Sequence, residues 1–189
     1  MNKAIFLDRD GTINIDKGYV YKPEDFEFLP GSIEGMRILQ KSGYLLIIIT
    51  NQSGIGRKFY TENDFDVLNQ FMLSELEAED VKISGIYHCP HVPSENCLCR
   101  KPLTGMFEQA IRDFDVDINA SFSIGDKLRD LGICEKTECR GFLIGKTEHE
   151  EIIDDVIAGK YKRVKYAESL LEAAKIITSP EPHVTKYGR

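Results

Sequence analysis

Apolar residues along the chain follow two alternating rhythms. Short β-type runs lie at Ala4 to Asp8, Tyr44 to Thr50, Gly85 to His88, Ser121 to Gly125 and Gly141 to Ile144. Between them, apolar positions recur at helical spacing: Phe65, Leu68, Met72 and Leu76 in one stretch, and Met106 or Phe107, Ala110, Ile111 and Phe114 in another. Residues three or four apart share one helix face, so both stripes read as core packing, and Thr61 is placed to cap the first helix. A last amphipathic stretch, Tyr166 to Ile177, carries Leu170, Leu171, Ala174 and Ile177 on one side and runs into Ser179-Pro180-Glu181-Pro182, which ends a helix. Strands alternating with helices predict an α/β fold, a Rossmann-like parallel sheet with helices on both faces. No repeat or linker interrupts the pattern, so residues 1–178 are expected as one domain and residues 179–189 as a flexible tail.

Length and charge then narrow the function classes. The 189 residues suffice for one substantial core. With 31 acidic against 24 basic residues the formal net charge is −7, which repels phosphate backbones and anionic lipid, so neither nucleic acid nor membrane is an expected partner. The apolar start of the chain turns charged at Asp8, and the longest apolar run, Tyr44 to Ile49, is too short to cross a bilayer. A cytoplasmic monomer is expected. In that compartment the five cysteines are thiols or metal ligands rather than a disulfide framework.

Ligands of open α/β sheets bind outside the carboxyl ends of the strands. Four such ends are polar here: Asp8-Arg9-Asp10-Gly11-Thr12, Thr50-Asn51-Gln52-Ser53-Gly54, Arg100-Lys101-Pro102, and Gly125-Asp126-Lys127-Leu128-Arg129-Asp130. Carboxylates paired as Asp8 and Asp10 are would repel by about 4 kcal/mol at roughly 4 Å and an effective dielectric of about 20. Cations must balance them. Lys101 can supply one charge, and Asp126 can share a divalent ion with Asp8, whose all-oxygen ligand set suits Mg²⁺. A carboxylate beside Mg²⁺ can attack phosphorus, Asp10 is placed to protonate the leaving alkoxide, and Thr50 and Lys101 can hold the phosphoryl oxygens. Each segment alone is more often a solvated turn or loop than a site; all four in this order point to a phosphatase.

These four segments resemble the motifs of the haloacid-dehalogenase (HAD) superfamily of aspartate-nucleophile phosphatases. The resemblance implies Asp8 as nucleophile, Asp10 as general acid and base, Thr50 and Lys101 as the phosphoryl-binding pair, and Asp8, Asp126 and the backbone carbonyl of Asp10 as Mg²⁺ ligands. Only about twenty residues separate Thr12 from the helical segment at Ser32, which leaves no room for a large cap domain and favours a hydrolase over a mutase.

Cys89, His91, Cys97 and Cys99 place three thiols and an imidazole within eleven positions, a Cys₃His set suited to a closed, tetrahedral, structural Zn²⁺. The alternatives are free thiols with an incidental histidine, or a disulfide. Zinc here would staple the loop that presents Arg100 and Lys101. His88 reads as a strand-end residue, and Cys134 and Cys139 as small hydrophobes.

From Asp8 to about Gly145 the chain resembles one branch more closely, the D-glycero-D-manno-heptose 1,7-bisphosphate 7-phosphatases, with histidinol-phosphate phosphatases as near relatives. Phe6 to Asn14, Gly18-Tyr19-Val20, Phe26-Glu27-Phe28, Thr50 to Ile55, Gly85-Ile86-Tyr87, Cys89-Pro90-His91, Cys99 to Pro102 and Gly125-Asp126-Lys127 carry it. It implies substrate contacts at Arg9, Asp16, Lys17, Gly18, Tyr19, Asn51, Gln52, Ser53, Arg100 and Lys127, a small sugar phosphate as the partner, and a step in ADP- or GDP-heptose precursor synthesis. On residue grounds alone Tyr19 could equally be core and Gln52 a turn residue. The short loop between His91 and Cys97 favours histidinol phosphate as substrate, and the longer matches favour heptose. An inactive zinc-stapled binding module and a polynucleotide phosphatase stand as further alternatives.

Overall fold

The computed structural model describes residues 1–145 and 150–179. Six parallel strands form one sheet: β1 (Ala4–Leu7), β2 (Leu45–Asn51), β3 (Ile83–Cys89), β4 (Phe122–Gly125), β5 (Arg140–Ile144) and β6 (Val164–Ala167), in the order β3-β2-β1-β4-β5-β6. The central strand β1 is apolar at all four positions because both of its faces are covered. Alternate residues point to opposite faces. Ile5, Leu7, Leu46, Ile48 and Ile124 pack with Met36 and Leu39 of α1 (Ser32–Lys41), Met72 and Leu76 of α3 (Glu62–Ala78), and Leu170 and Ala174 of α7 (Leu170–Thr178). Ala4, Phe6, Ile47, Ile49 and Leu143 pack on the other face with α4 (Gly105–Asp113), α5 (Gly132–Lys136) and α6 (Glu150–Ile157). A four-residue helix, α2 (Ser53–Gly56), follows β2.

Local chemistry sets the helix boundaries. Thr61 caps α3 as its sequence position predicts: Thr61 Oγ1 accepts from Asp64 N at 3.2 Å, and Asp64 Oδ2 accepts from Thr61 N at 2.8 Å. The last predicted helix is corrected at its start, since Tyr166 and Ala167 belong to β6 and α7 begins at Leu170, capped by Ser169. The strand escaped the sequence reading because it is a four-residue edge strand whose apolar spacing merges with the helix that follows. Its pairing is fixed from outside, by the register Gly141↔Val164 to Ile144↔Ala167 with β5. The expected tail, beyond Ser179, lies outside the described residues.

Chain connectivity runs from β1 outward through β2 and β3, then returns to β4 on the other side of β1. Order therefore reverses between β1 and β4, and the loops leaving their carboxyl ends part to open a crevice. Among the described residues no cap domain stands over it, and no helix is long and apolar enough to cross a membrane.

Candidate active site

Asp8 follows β1 and Asp126 follows β4, so the topology delivers both carboxylates to the crevice. Asp8, Asp126 and Asp130 each place a carboxylate oxygen within 4.8 Å of the others. The turn that allows this passes through Gly11, whose φ is +89° and where a Cβ would lie 2.4 Å from Asp126 Oδ2. Lys101 offsets part of the charge from below: its Nζ, on a side chain only 1% exposed, lies 2.7 Å from Asp8 Oδ1, 2.7 Å from Asp130 Oδ1 and 2.6 Å from the Ile49 carbonyl. Burial pushes the Asp8 carboxyl up to about 7, with repulsion from Asp130 and Asp126 adding to it and Lys101 opposing. Asp126 is raised as well, by burial and then by Asp130. Burial works against a charged Lys101, but Asp130 and Asp8 outweigh it and raise its pKa. Asp126 Oδ1 is buried with no hydrogen-bond partner. An excess of carboxylate around an orphaned acceptor fits a hard cation.

Asp10 sits beside this cluster in a cage of donors. Its Oδ2 accepts from Arg9 Nη2 at 2.9 Å and Gln52 Nε2 at 2.9 Å, and its Oδ1 from Asn14 Nδ2 at 3.0 Å. Thr50, at the end of β2, is buried with its Oγ1 accepting from Gln52 Nε2 at 2.9 Å. Asn51 clamps the backbone of Lys101, its Oδ1 accepting from Lys101 N at 3.0 Å and its Nδ2 donating to Lys101 O at 3.1 Å.

Asp8, Asp10, Thr50, Asn51, Gln52 and Asp130 line a cavity of about 290 Å³ together with Asp16, Gly18, Tyr19, Ser53, Arg57, Tyr60, Arg100, Lys127 and Arg129. Tyr19 is not core: it is 45% exposed, at φ 53°, with its ring edge-on to Phe59. Asp16 accepts from Gly18 N at 2.9 Å and pairs with Lys127 at 3.2 Å; Lys127 also reaches Asp126 Oδ2 at 3.1 Å. Two residues expected to touch substrate lie elsewhere. The Arg9 side chain is fully buried under the site, bonded to Asp10, Gln52 and the Val20 carbonyl, and Lys17 pairs with Glu27 away from the cavity. Sequence reasoning left Asp130, Arg57, Arg129 and Tyr60 unassigned. Asp130 had a usable signal, since a lysine buried among acids needs more than one carboxylate and Asp130 lies in the same polar segment as Asp126. Arg129 shares that segment, whereas Arg57 and Tyr60 had no signal, because only the folded loops bring them to the cavity. A larger groove of about 1140 Å³, lined by Phe122, Arg140, Phe142, Arg163 and Ile177, lies at the opposite end of the strands and holds none of these groups.

The cysteine loop forms a second cluster at the end of β3. Sγ atoms of Cys89, Cys97 and Cys99 lie 3.2 to 3.5 Å apart, and His91 Nδ1 is 3.3 Å from Cys99 and 3.6 Å from Cys89. These separations are far beyond the roughly 2.05 Å of a disulfide and near the ~3.8 Å between thiolates sharing one tetrahedral ion. The cluster can therefore hold a metal. Arg100 Nη1 donates to the His91 carbonyl at 3.2 Å, so the loop's shape reaches the catalytic crevice directly. His88 is a strand-end residue 2.8 Å from Glu62, and Cys134 and Cys139 are buried without disulfides.

Comparison with known proteins gives a consistent picture. Residues 3–134 match the polynucleotide kinase 3 phosphatase family model, and residues 98–173 a HAD-hydrolase-like model. A D-glycero-beta-D-manno-heptose-1,7-bisphosphate 7-phosphatase of Pasteurella multocida is 41% identical over 183 residues, covering 94% of this chain and 97% of its own. The D-glycero-alpha-D-manno-heptose-1,7-bisphosphate 7-phosphatase of Campylobacter jejuni is 55% identical over 129 residues, 68% of this chain and 74% of its own. Among solved structures, the D,D-heptose 1,7-bisphosphate phosphatase of B. bronchiseptica, complexed with magnesium and phosphate, aligns at TM-score 0.83 and 30% identity over 93% of this chain and 97% of that one.

Proposed function

Because the chain belongs to the D-glycero-D-manno-heptose 1,7-bisphosphate 7-phosphatase family of HAD-like hydrolases, we propose that it removes the 7-phosphate of such a heptose bisphosphate, with Asp8 as nucleophile and Asp10 as general acid and base. The observation that carries this reading is the grouping of Asp8, Asp126, Asp130 and Lys101 at the switch point of the sheet. Mg²⁺ would fit there, and Asp8, Asp126, whose Oδ1 is partnerless, and the backbone carbonyl of Asp10 would hold it. When bound it supplies the positive charge that lets a phosphate dianion approach a carboxylate.

The chain's own groups do the rest. Asp8 attacks phosphorus; as its carboxylate is esterified, the Lys101 N–H that it held turns to an equatorial oxygen, which the Thr50 hydroxyl also meets as charge spreads over the phosphoryl group. Asp10 gives its proton to the departing sugar alkoxide and later takes one from the water that cleaves the aspartyl phosphate. Asn51 and Asp130 fix Lys101. Arg57, Arg100, Lys127 and Arg129 ring the mouth and favour a substrate with a second anionic group, contacted also by Asp16, Gly18, Tyr19 and Ser53. Cys89, His91, Cys97 and Cys99 would hold a Zn²⁺ with four protein ligands, which would leave it a structural role, holding the Arg100-Lys101 loop. A small sugar phosphate met by a monomer in the cytoplasm completes the reading.

Comparing kcat/KM across both anomers of the heptose bisphosphate, histidinol phosphate and fructose 1,6-bisphosphate tests it. The heptose bisphosphate is expected to lead. Histidinol phosphate leading by more than about tenfold, a difference of about 1.4 kcal/mol in transition-state binding, would overturn the substrate assignment.

A further inference from the structure

We propose that Gln52, locked by Tyr60, is a positioning residue that aims the Thr50 hydroxyl at the phosphoryl group and holds the Asp10 carboxyl in place, rather than a substrate contact. Its surroundings use up the amide. Gln52 is only 3% exposed; its Nε2 donates to Asp10 Oδ2 and to Thr50 Oγ1, both at 2.9 Å, while its Oε1 accepts from the Tyr60 hydroxyl at 2.5 Å and from Arg9 Nη2 at 3.3 Å. Two donor hydrogens and two lone pairs are all an amide has, so nothing remains for a substrate. The amide's orientation follows from Arg9, because a guanidinium can only donate and so faces the amide oxygen.

Two consequences follow for the reacting groups. Since Thr50 Oγ1 already accepts from Gln52, its single hydrogen is free to turn into the cavity, where a phosphoryl oxygen is an acceptor. Asp10, the leaving-group acid in the proposed mechanism on which this inference rests, is pinned by the same nitrogen, so one amide sets two groups at once. Tyr60 is the outer clamp: its ring stacks on Tyr21 at 5.1 Å and 9°, and Gly54 makes room for it, since a Cβ there would fall 2.1 Å from the ring. Burial pushes the Tyr60 hydroxyl up to about 12, which keeps it a donor toward the amide oxygen.

The test compares wild type, Gln52→Glu and Tyr60→Phe on two esters, fructose 1,6-bisphosphate, whose alkoxide needs a proton to leave, and p-nitrophenyl phosphate, whose leaving group does not. Gln52→Glu puts an acceptor where both catalytic groups need a donor. It is expected to lower kcat on the sugar ester about 100-fold with KM within threefold, and to lower kcat on the nitrophenyl ester at least tenfold less. Tyr60→Phe should show the same pattern at about fivefold, and being conservative it decides the matter if Gln52→Glu does not fold. A rise in KM with kcat retained, or Tyr60→Phe equal to wild type on both esters, would overturn the positioning role. Wild type inactive on both esters and on heptose bisphosphate would overturn this inference and the proposed chemistry together, whereas wild type active on both but inactive on heptose bisphosphate would overturn the substrate assignment alone; if only heptose bisphosphate is cleaved, the same kcat and KM comparison is read on that ester.

Discussion

Two clusters of metal-ligating side chains stand at the carboxyl edge of the same sheet, and they are built oppositely. Cys89, His91, Cys97 and Cys99 come from one stretch of eleven residues and turn their donor atoms on one another. Asp8, Asp126 and Asp130 come from two loops more than a hundred residues apart, and Asp8 and Asp130 line an open cavity. Soft donors in a closed local set can do little but hold a shape. Hard donors that repel one another, lining a crevice, store a demand for positive charge that a cation and a substrate can meet. The link between the two is short: Cys99 is followed by Arg100, tied to the His91 carbonyl, and by Lys101, tied to Asp8.

The sharpest way to break the comparison is Asp8→Asn. This near-isosteric change removes the proposed nucleophile and one buried charge together, so turnover should fall by at least about 10³-fold while the thermal midpoint holds or rises. Calorimetry beside a phosphate-release assay checks both halves. Cys99→Ser should do the reverse, lowering stability first and activity as a consequence. A loss of about 3 kcal/mol would drop the midpoint by roughly 6–12 °C in a domain of this size, with zinc absent from elemental analysis of the variant. Retained zinc and an unchanged midpoint would show that the cysteine cluster is not a staple.

A third test concerns the carboxylates alone. Burial, Asp130 and Asp126 raise Asp8 to about 7 against the pull of Lys101, so in metal-free protein it carries a proton below that pH. The raised value means that Asp8 weighs increasingly against the fold as pH climbs from about 4 to 7, since over that range the folded state keeps a proton that the unfolded state has already lost. Mg²⁺ needs the ionised form. Its affinity should therefore fall by up to about tenfold per pH unit below pH 7, and the rise in thermal midpoint that it produces should be larger at pH 8 than at pH 5.5. Titration calorimetry gives the slope, and a flat affinity across this range would remove the coupling. The smallest effect serves as a control: Ser169→Ala removes the cap of α7, none of whose residues belongs to either cluster or lines the cavity, and should cost about 1 kcal/mol of stability without touching kcat.

What the sequence by itself determined was everything carried by local order. Apolar runs located five of the six strands, helical spacing located the core faces of α3 and α4, and the Cys₃His spacing marked a cluster whose members are near in space because they are near in the chain. The polar residues after each strand could be named because a parallel sheet sends all of those ends to one edge. Tertiary structure decided which of these residues meet and what each is left free to do. Asp130 joins Lys101 and Asp8, Arg9 disappears beneath Asp10, and Gln52 spends its amide on Asp10, Thr50, Tyr60 and Arg9. The sixth strand belongs here too, since Val164–Ala167 is a strand only because β5 offers it an open edge. The physical reason is common to all of them: a periodic pattern needs only the chain's own geometry, whereas a buried polar group takes its role from whichever donors and acceptors the fold sets against it.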